Sequence, residues 1–203
     1  MTNQDISQKP AKKEGSSFDF SGFNGREEEL QKITRYGMDR YTPMFYRTNV
    51  LLHSERVYFL LKNILPLIGS VYKSQLNSGK ALTLALVHDD AEIISGDILL
   101  YHVERFSEEE LARIREKEIN AIEEISKKWP KTINSFNYKK LLYNALNIDT
   151  LEAQVVSFFD KTDAYCECLH EVHAGNDLFV NAVLAYVKRI NDYPNKFPAL
   201  REM

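Results

Sequence analysis

Residues 81–99 read ALTLALVHDDAEIISGDIL, and the change of character at residue 88 sets the terms for the rest of the chain. Ala81 to Val87 are comfortable only in a core, and His88, Asp89, Asp90 and Glu92 follow at once. Burying an unpaired carboxylate costs several kcal/mol, so acids crowded against an apolar run require compensation, which a metal cation supplies. In a helix His88 and Glu92 stand four apart on one face, with Asp89 one step round, so a nitrogen and carboxylate oxygens reach one small volume. On this stretch alone a solvated helix end and a metal site fit equally well. Asp90 points to another side of such a helix and reads as a solvent-facing charge, whose change to Asn should be mild.

Outward from that stretch the pattern is helical throughout. Towards the N-terminus, Val50, Val57, Leu61 and Ile64 form a stripe over residues 49–65 with His53 inside it, and Pro66 ends or bends that helix. A lone His on such a stripe is more often a hydrogen-bonded core residue than a ligand, unless other ligands converge on it. Asn77-Ser78-Gly79 opens the helix that carries residues 81–87. Before these, residues 26 to about 37 read as a helix with three glutamates in its first turn. The connector MDRYTPMFYRTN, residues 38–49, holds Arg40, Tyr41, Phe45, Tyr46 and Arg47. That mixture suits either a planar anionic ligand or a loop pinned by its aromatics. Residues 1–24 read as a loose polar tail whose Phe18, Phe20 and Phe23 could dock on the domain or on another subunit, and residues 25–203 as one domain.

Towards the C-terminus, Ser95-Gly96-Asp97 marks a turn, and Ser107 with Glu110 makes a capping box for a charged helix to about Lys128. Leu111, Ile114, Ile119, Ile122 and Ile125 are expected on its inner side. A short helix near residues 139–146 leads to a long one over 149–172, with Val155, Val156, Phe159 and Cys166 buried around Asp160 and Asp163, and Gly175-Asn176 as its stop. A last amphipathic helix spans 177–191. No alternating strand pattern occurs, so the fold class is all-α.

Composition narrows the function. With 26 basic and 29 acidic residues and a net charge of −3, there is no electrostatic footprint for nucleic acid. No apolar run reaches the ~18 residues of a membrane span, and the N-terminus lacks a signal-peptide core. The two cysteines, Cys166 and Cys168, suit reduced buried thiols and a cytoplasmic setting. Gly79-Lys80 is not a phosphate loop, since the other positions of that motif do not match.

His53, His88, Asp89 and Asp160 fall on three separate helices and together make a borderline-to-hard donor set suited to Mn²⁺, Co²⁺, Fe²⁺ or Zn²⁺. A cation there can lower the pKa of a water and polarise a phosphoryl oxygen, which points to phosphate-ester hydrolysis. The order H…HD…D on an all-helical chain resembles the HD-domain metal-dependent phosphohydrolases. NVLLHSERV (49–57), HDDAEIISGD (88–97) and FFDKTDAYCECLHEVHAGN (158–176) are similar to the corresponding segments of the bacterial 5′-deoxynucleotidases within them. The resemblance implies an HD-domain helical bundle, one divalent metal ion (Mn, Co, Fe, Zn or Mg) on His53, His88, Asp89 and Asp160, and a homodimer. It assigns catalysis to Glu92 and Asp97, with Glu92 donating a proton to the leaving alkoxide or partnering the water and Asp97 orienting the water. Substrate contact falls to Arg40 and Tyr41, an Arg–aromatic pair upstream of the first His. Asp163 rivals Asp160, which is preferred for its distance to Ala174-Gly175-Asn176.

The sequence departs from those enzymes before His53, where Leu51 and Leu52 stand in place of an acidic residue, a loss that bears on the support of His53, on metal preference or on substrate choice. The expected substrates are nucleoside 5′-monophosphates, deoxyribonucleotides favoured. The alternatives are an HD phosphohydrolase acting on a triphosphate, cyclic nucleotide or alarmone, and a non-catalytic nucleotide-binding protein.

Overall fold

The computed structural model describes residues 18–36, 43–98 and 106–201. Its helices are α1 (Arg26–Lys32), α2 (Val50–Tyr72), α3 (Ser78–Val87), α4 (Glu92–Ser95), α5 (Glu108–Lys128), α6 (Tyr138–Asn147), α7 (Leu151–His173) and α8 (Val180–Lys196). The only sheet among the described residues is a two-residue hairpin, β1 (Thr132–Ile133) and β2 (Phe136–Asn137), too short to show as a sequence period. The expected all-α class is observed.

Capping residues set most of the helix starts. Asn49, Asn77, Ser107, Asn137 and Thr150 each accept a backbone N–H from their own first turn, and Ser107 with Glu110 forms the complete capping box. At the far end of α7, Gly175 sits at φ 94°, where a side chain would be strained, and the Gly175 and Asn176 N–H groups return to the carbonyls of Val172 and Glu171. Helix α7 touches α2, α3, α6 and α8, so it is the central element. The core between them includes Val57, Leu61, Leu84, Val87, Ile125 and Val155, all fully buried. Phe20 and Phe23 pack into that core and Phe18 meets Tyr58 edge-on, so these three phenylalanines dock on the domain.

Several expectations are corrected. Helix α1 stops at Lys32 instead of near residue 37, because Thr34 bridges to Asn49 in extended conformation. Helix α2 runs through Pro66 to Tyr72. Pro66 is exposed while Leu65 and Ile68 beside it are buried, so the missing hydrogen bond falls on the wet side and packing holds the helix together. On α5 only the second half faces inward: Ile122 and Ile125 are buried, Ile114 and Ile119 half-buried, and Leu111 exposed.

Cys166 is exposed rather than buried, and only Cys168 is enclosed. Burial pushes the Cys168 thiol up to about 12 despite a contact from the Tyr36 hydroxyl. Iodoacetamide on the native protein is therefore expected to modify Cys166 and spare Cys168 until denaturant is added, as read by peptide mass spectrometry. Native modification of Cys168 would contradict this burial.

Candidate functional site

His53 lies one turn into α2, on the buried face with Val50 and Val57, and is itself fully enclosed. Helix α3 delivers His88 as its C-cap, at the end of the apolar run. From there the chain does not continue as a regular helix. Asp90 N–H bonds to the Val87 carbonyl and Glu92 N–H to that of Asp89, so residues 88–91 form a tightened turn before α4. His88 and Glu92 are thus joined by a turn and do not share the face of one helix. Gly96, at φ 74°, ends α4 and redirects the chain to Asp97. Helix α7 supplies Asp160 from its middle.

The four residues meet. His53 Nε2 stands 3.4 Å from Asp89 Oδ2 and 3.3 Å from Asp160 Oδ1, and His88 Nε2 stands 3.3 Å from Asp89 Oδ1. The second nitrogen of each ring is committed: His88 Nδ1 lies 2.9 Å from the Ala85 carbonyl and His53 Nδ1 lies 2.7 Å from Asp163 Oδ2. A carbonyl only accepts, so His88 Nδ1 carries the proton and its Nε2 presents a lone pair in the neutral ring. Both Nε2 atoms are buried without a hydrogen-bond partner. Unpartnered imidazole nitrogens facing carboxylate oxygens are a costly arrangement that a cation relieves. Ligand atoms bound at ~2.1 Å around one cation stand ~3.0–3.4 Å apart, so the donor set fits a divalent metal ion. The local field has the same sense. Burial and Arg35 oppose protonation of His53, yet Asp160, Asp163 and Asp89 outweigh them and raise its pKa to about 9.

His88, Asp89 and Asp160 open onto a cavity of about 460 Å³, while His53 lies behind them. Glu92 and Asp97 line the same cavity. Burial, reinforced by Asp89 and Asp97, pushes the Glu92 carboxyl well above its ordinary range, and its Oε2 has no hydrogen-bond partner. Asp97 Oδ2 accepts the Tyr36 backbone N–H at 2.7 Å, and burial raises its pKa against the pull of Arg35. Leu142, Leu146 and Val156 give the cavity an apolar part of its lining, and α7 and α8 add Lys161, Arg189 and Lys196. Lys161 Nζ stands 2.5 Å from Asp160 Oδ2, away from the oxygen that faces His53.

Asp90 requires correction: it is not a solvent-facing charge. It is fully buried, gripped by Arg26 through Nε at 2.9 and 2.8 Å and Nη2 at 2.6 Å, and it accepts the Tyr138 hydroxyl at 2.9 Å. Arg26 Nη2 also reaches the Leu86 carbonyl at 2.5 Å, so α1 is tied to the end of α3 next to His88.

Arg40 and Tyr41 lie outside the described residues. Among the described residues, Arg35 and Tyr36 reach the cavity wall, beside Asp97. This is an Arg–aromatic pair too, five residues earlier, and the same signal would have found it. Backbone bonds from Arg35 to Thr48 and from Val50 to Ile33 hold it against the start of α2. Sequence reading also missed Arg56 and Glu167: Arg56 grips Asp163 and Glu167, and Glu167 takes Arg35 at 3.0 Å.

Comparison with known proteins agrees with this geometry. The chain is 27% identical over 159 residues to the 4′-phosphooxetanocin A phosphatase of Priestia megaterium, covering 78% of each chain. It is 28% identical over 166 residues to a 5′-deoxynucleotidase of Yersinia pestis (strain Pestoides F), covering 80% of this chain and 79% of that one. Its fold is that of an HD-domain phosphohydrolase from Listeria innocua, with a TM-score of 0.68, 24% identity, and 85% of this chain and 80% of the other covered. The family model described as 5′-deoxynucleotidase YfbR-like matches residues 23–200, which takes in helices α1 to α8 and the histidines and carboxylates described above, so the chain belongs to that family and is a hydrolase.

Proposed function

We propose that the protein releases phosphate from nucleoside 5′-monophosphates, deoxyribonucleotides favoured, with one divalent cation held by His53, His88, Asp89 and Asp160. The observation that carries this reading is the pair of buried, unpartnered Nε2 atoms facing Asp89 and Asp160 at the wall of a cavity of nucleotide size. When bound, such a cation supplies Lewis acidity towards a phosphoryl oxygen and towards water. Asp97 keeps one oxygen on the Tyr36 N–H and directs its carboxylate at the attacking water. Glu92, with a carboxyl oxygen unpartnered in the cavity, gives a proton to the departing 5′-oxygen. Arg35 and Lys161 face the phosphate, and the apolar wall of Leu142, Leu146 and Val156 receives the base.

The test is phosphate release from dAMP, dGMP, dCMP, dTMP and dUMP with added Mn²⁺, Co²⁺ or Mg²⁺. Absence of turnover above a His88→Ala/Asp89→Ala control with every one of them would defeat the proposal. Within the same assay, Arg35→Ala is expected to raise KM about 10- to 100-fold, the worth of a charge-assisted hydrogen bond. An unchanged KM would remove Arg35 from the phosphate site.

A second reading, hydrolysis of a nucleoside polyphosphate, is favoured by one observation: Lys161, Arg189 and Lys196 all line the cavity, basic groups that extra phosphates would require. Separating orthophosphate from pyrophosphate among the products decides between the two. The homodimer is part of the proposal as well, supported by Phe59 and Leu67, 64% and 66% exposed on the outer side of α2. Light scattering tests it. No helix among the described residues is long and apolar enough to cross a membrane, in keeping with a substrate met in water, and a cytoplasmic location is proposed on the same footing.

A further inference from the structure

Helix α7 addresses both nitrogens of His53. Asp160 faces Nε2 at 3.3 Å, and Asp163, one turn further along α7, meets Nδ1 at 2.7 Å. Arg56, one turn beyond His53 on α2, completes a square: its Nε lies 2.8 Å from Asp163 Oδ1 and its Nη2 2.8 Å from Asp163 Oδ2. A guanidinium fork that takes both oxygens of one carboxylate fixes its plane. The carboxylate so held can only accept at His53 Nδ1, which leaves Nε2 as the lone-pair nitrogen, turned to Asp89 and Asp160.

The square is anchored on its far side too. Arg56 Nη2 continues to Glu167 Oε1 at 2.5 Å, and Glu167 also takes Arg35 Nε at 3.0 Å and the Thr48 hydroxyl. Nothing preceding His53 along α2 can do this work, because Leu51 and Leu52 carry no polar group. The acidic residue that the sequence lacks before His53 therefore has a counterpart, reached from a different helix.

We propose that Asp163, clamped by Arg56, is the positioning residue that sets the tautomer of His53 and thereby the affinity of the site for its divalent cation. This rests on the metal reading given above. Asp163 does not touch the substrate cavity and acts only through the imidazole. Arg56→Lys, which keeps the charge but not the fork, restores part of what Arg56→Gln loses.

The probe is Co²⁺, titrated calorimetrically into the metal-depleted full-length chain and its Asp163→Asn variant, with circular dichroism melts alongside. Asp163→Asn is expected to weaken Co²⁺ binding about 10- to 100-fold, the usual effect of removing the partner of a metal-bound His. Equal affinities in two folded chains overturn the proposal and leave the metal reading intact. A wild-type chain that binds no Co²⁺, Mn²⁺ or Zn²⁺ overturns the metal reading and this proposal with it. Should Asp163→Asn fail to fold, long-range ¹H–¹⁵N correlations on the zinc-loaded wild type decide the matter. A proton on His53 Nδ1 supports the proposal, and a proton on Nε2 overturns it. A purely structural Asp163 would shift the melt without moving either the Co²⁺ affinity or the tautomer.

Discussion

Asp90→Asn is expected to lower the stability of the protein by about 3–5 kcal/mol, the range found when one partner of a buried ion pair is removed. Arg26 and Asp90 are 3% and 0% exposed. Neutralising Asp90 leaves the enclosed guanidinium with neutral partners alone: one amide oxygen, the Leu86 carbonyl and the Phe20 ring. The cost is that stranded charge, more than the hydrogen bonds themselves. Urea unfolding of the two chains reads it directly, and a loss below ~0.5 kcal/mol, the size of an ordinary surface change, would sink the argument. Arg26→Met in the Asp90→Asn background should cost less than the two single changes added together, because it removes the stranded charge.

This prediction reverses the mild effect that sequence reading attached to the same substitution, and the reason is physical. A helical period assigns faces only while the helix lasts. Here α3 gives way after Val87 to a turn of i→i+3 bonds, and Asp90 swings towards a partner 64 positions earlier in the chain. The apolar run, the helix starts at Asn77 and Ser107, and the stop at Gly175 are local signals, and all were legible. Arg35 and Tyr36 carry the same Arg–aromatic signal as Arg40 and Tyr41, and what sets them at the cavity, the Thr34–Asn49 bridge, is announced by no period. Pro66 carries a strong breaker signal, yet Leu61, Leu65 and Ile68 bury enough surface around it to carry α2 onward. Of the site, residue type and order at His53, His88, Asp89 and Asp160 were enough to nominate a metal centre. What the sequence lacked was the second layer: Asp163 read as a rival ligand to Asp160, and nothing local marked Arg56 or Glu167 as its partners.

His88→Ala is expected to reduce kcat/KM by more than about 10³-fold, because Lewis-acid stabilisation is worth several kcal/mol and each 1.36 kcal/mol is tenfold in rate. The fold should survive. His88 is the C-cap of α3, and its Nδ1 bond to the Ala85 carbonyl is one that water reaching the cavity wall can replace. The wild type should carry one divalent cation per chain by elemental analysis, lose activity to a chelator and regain it when Mn²⁺ or Co²⁺ is returned. His88→Ala should regain nothing under the same treatment while melting within a few degrees of the wild type. Asp90→Asn should behave in the opposite way at low temperature, holding its cation and most of its activity while melting early, since its partners are Arg26 and Tyr138 and not the cavity. Two neighbours in one turn would then separate cleanly, one acting on the metal and one on the fold, and an Asp90→Asn chain that stays fully stable yet loses its cation would show that assignment to be the wrong way round.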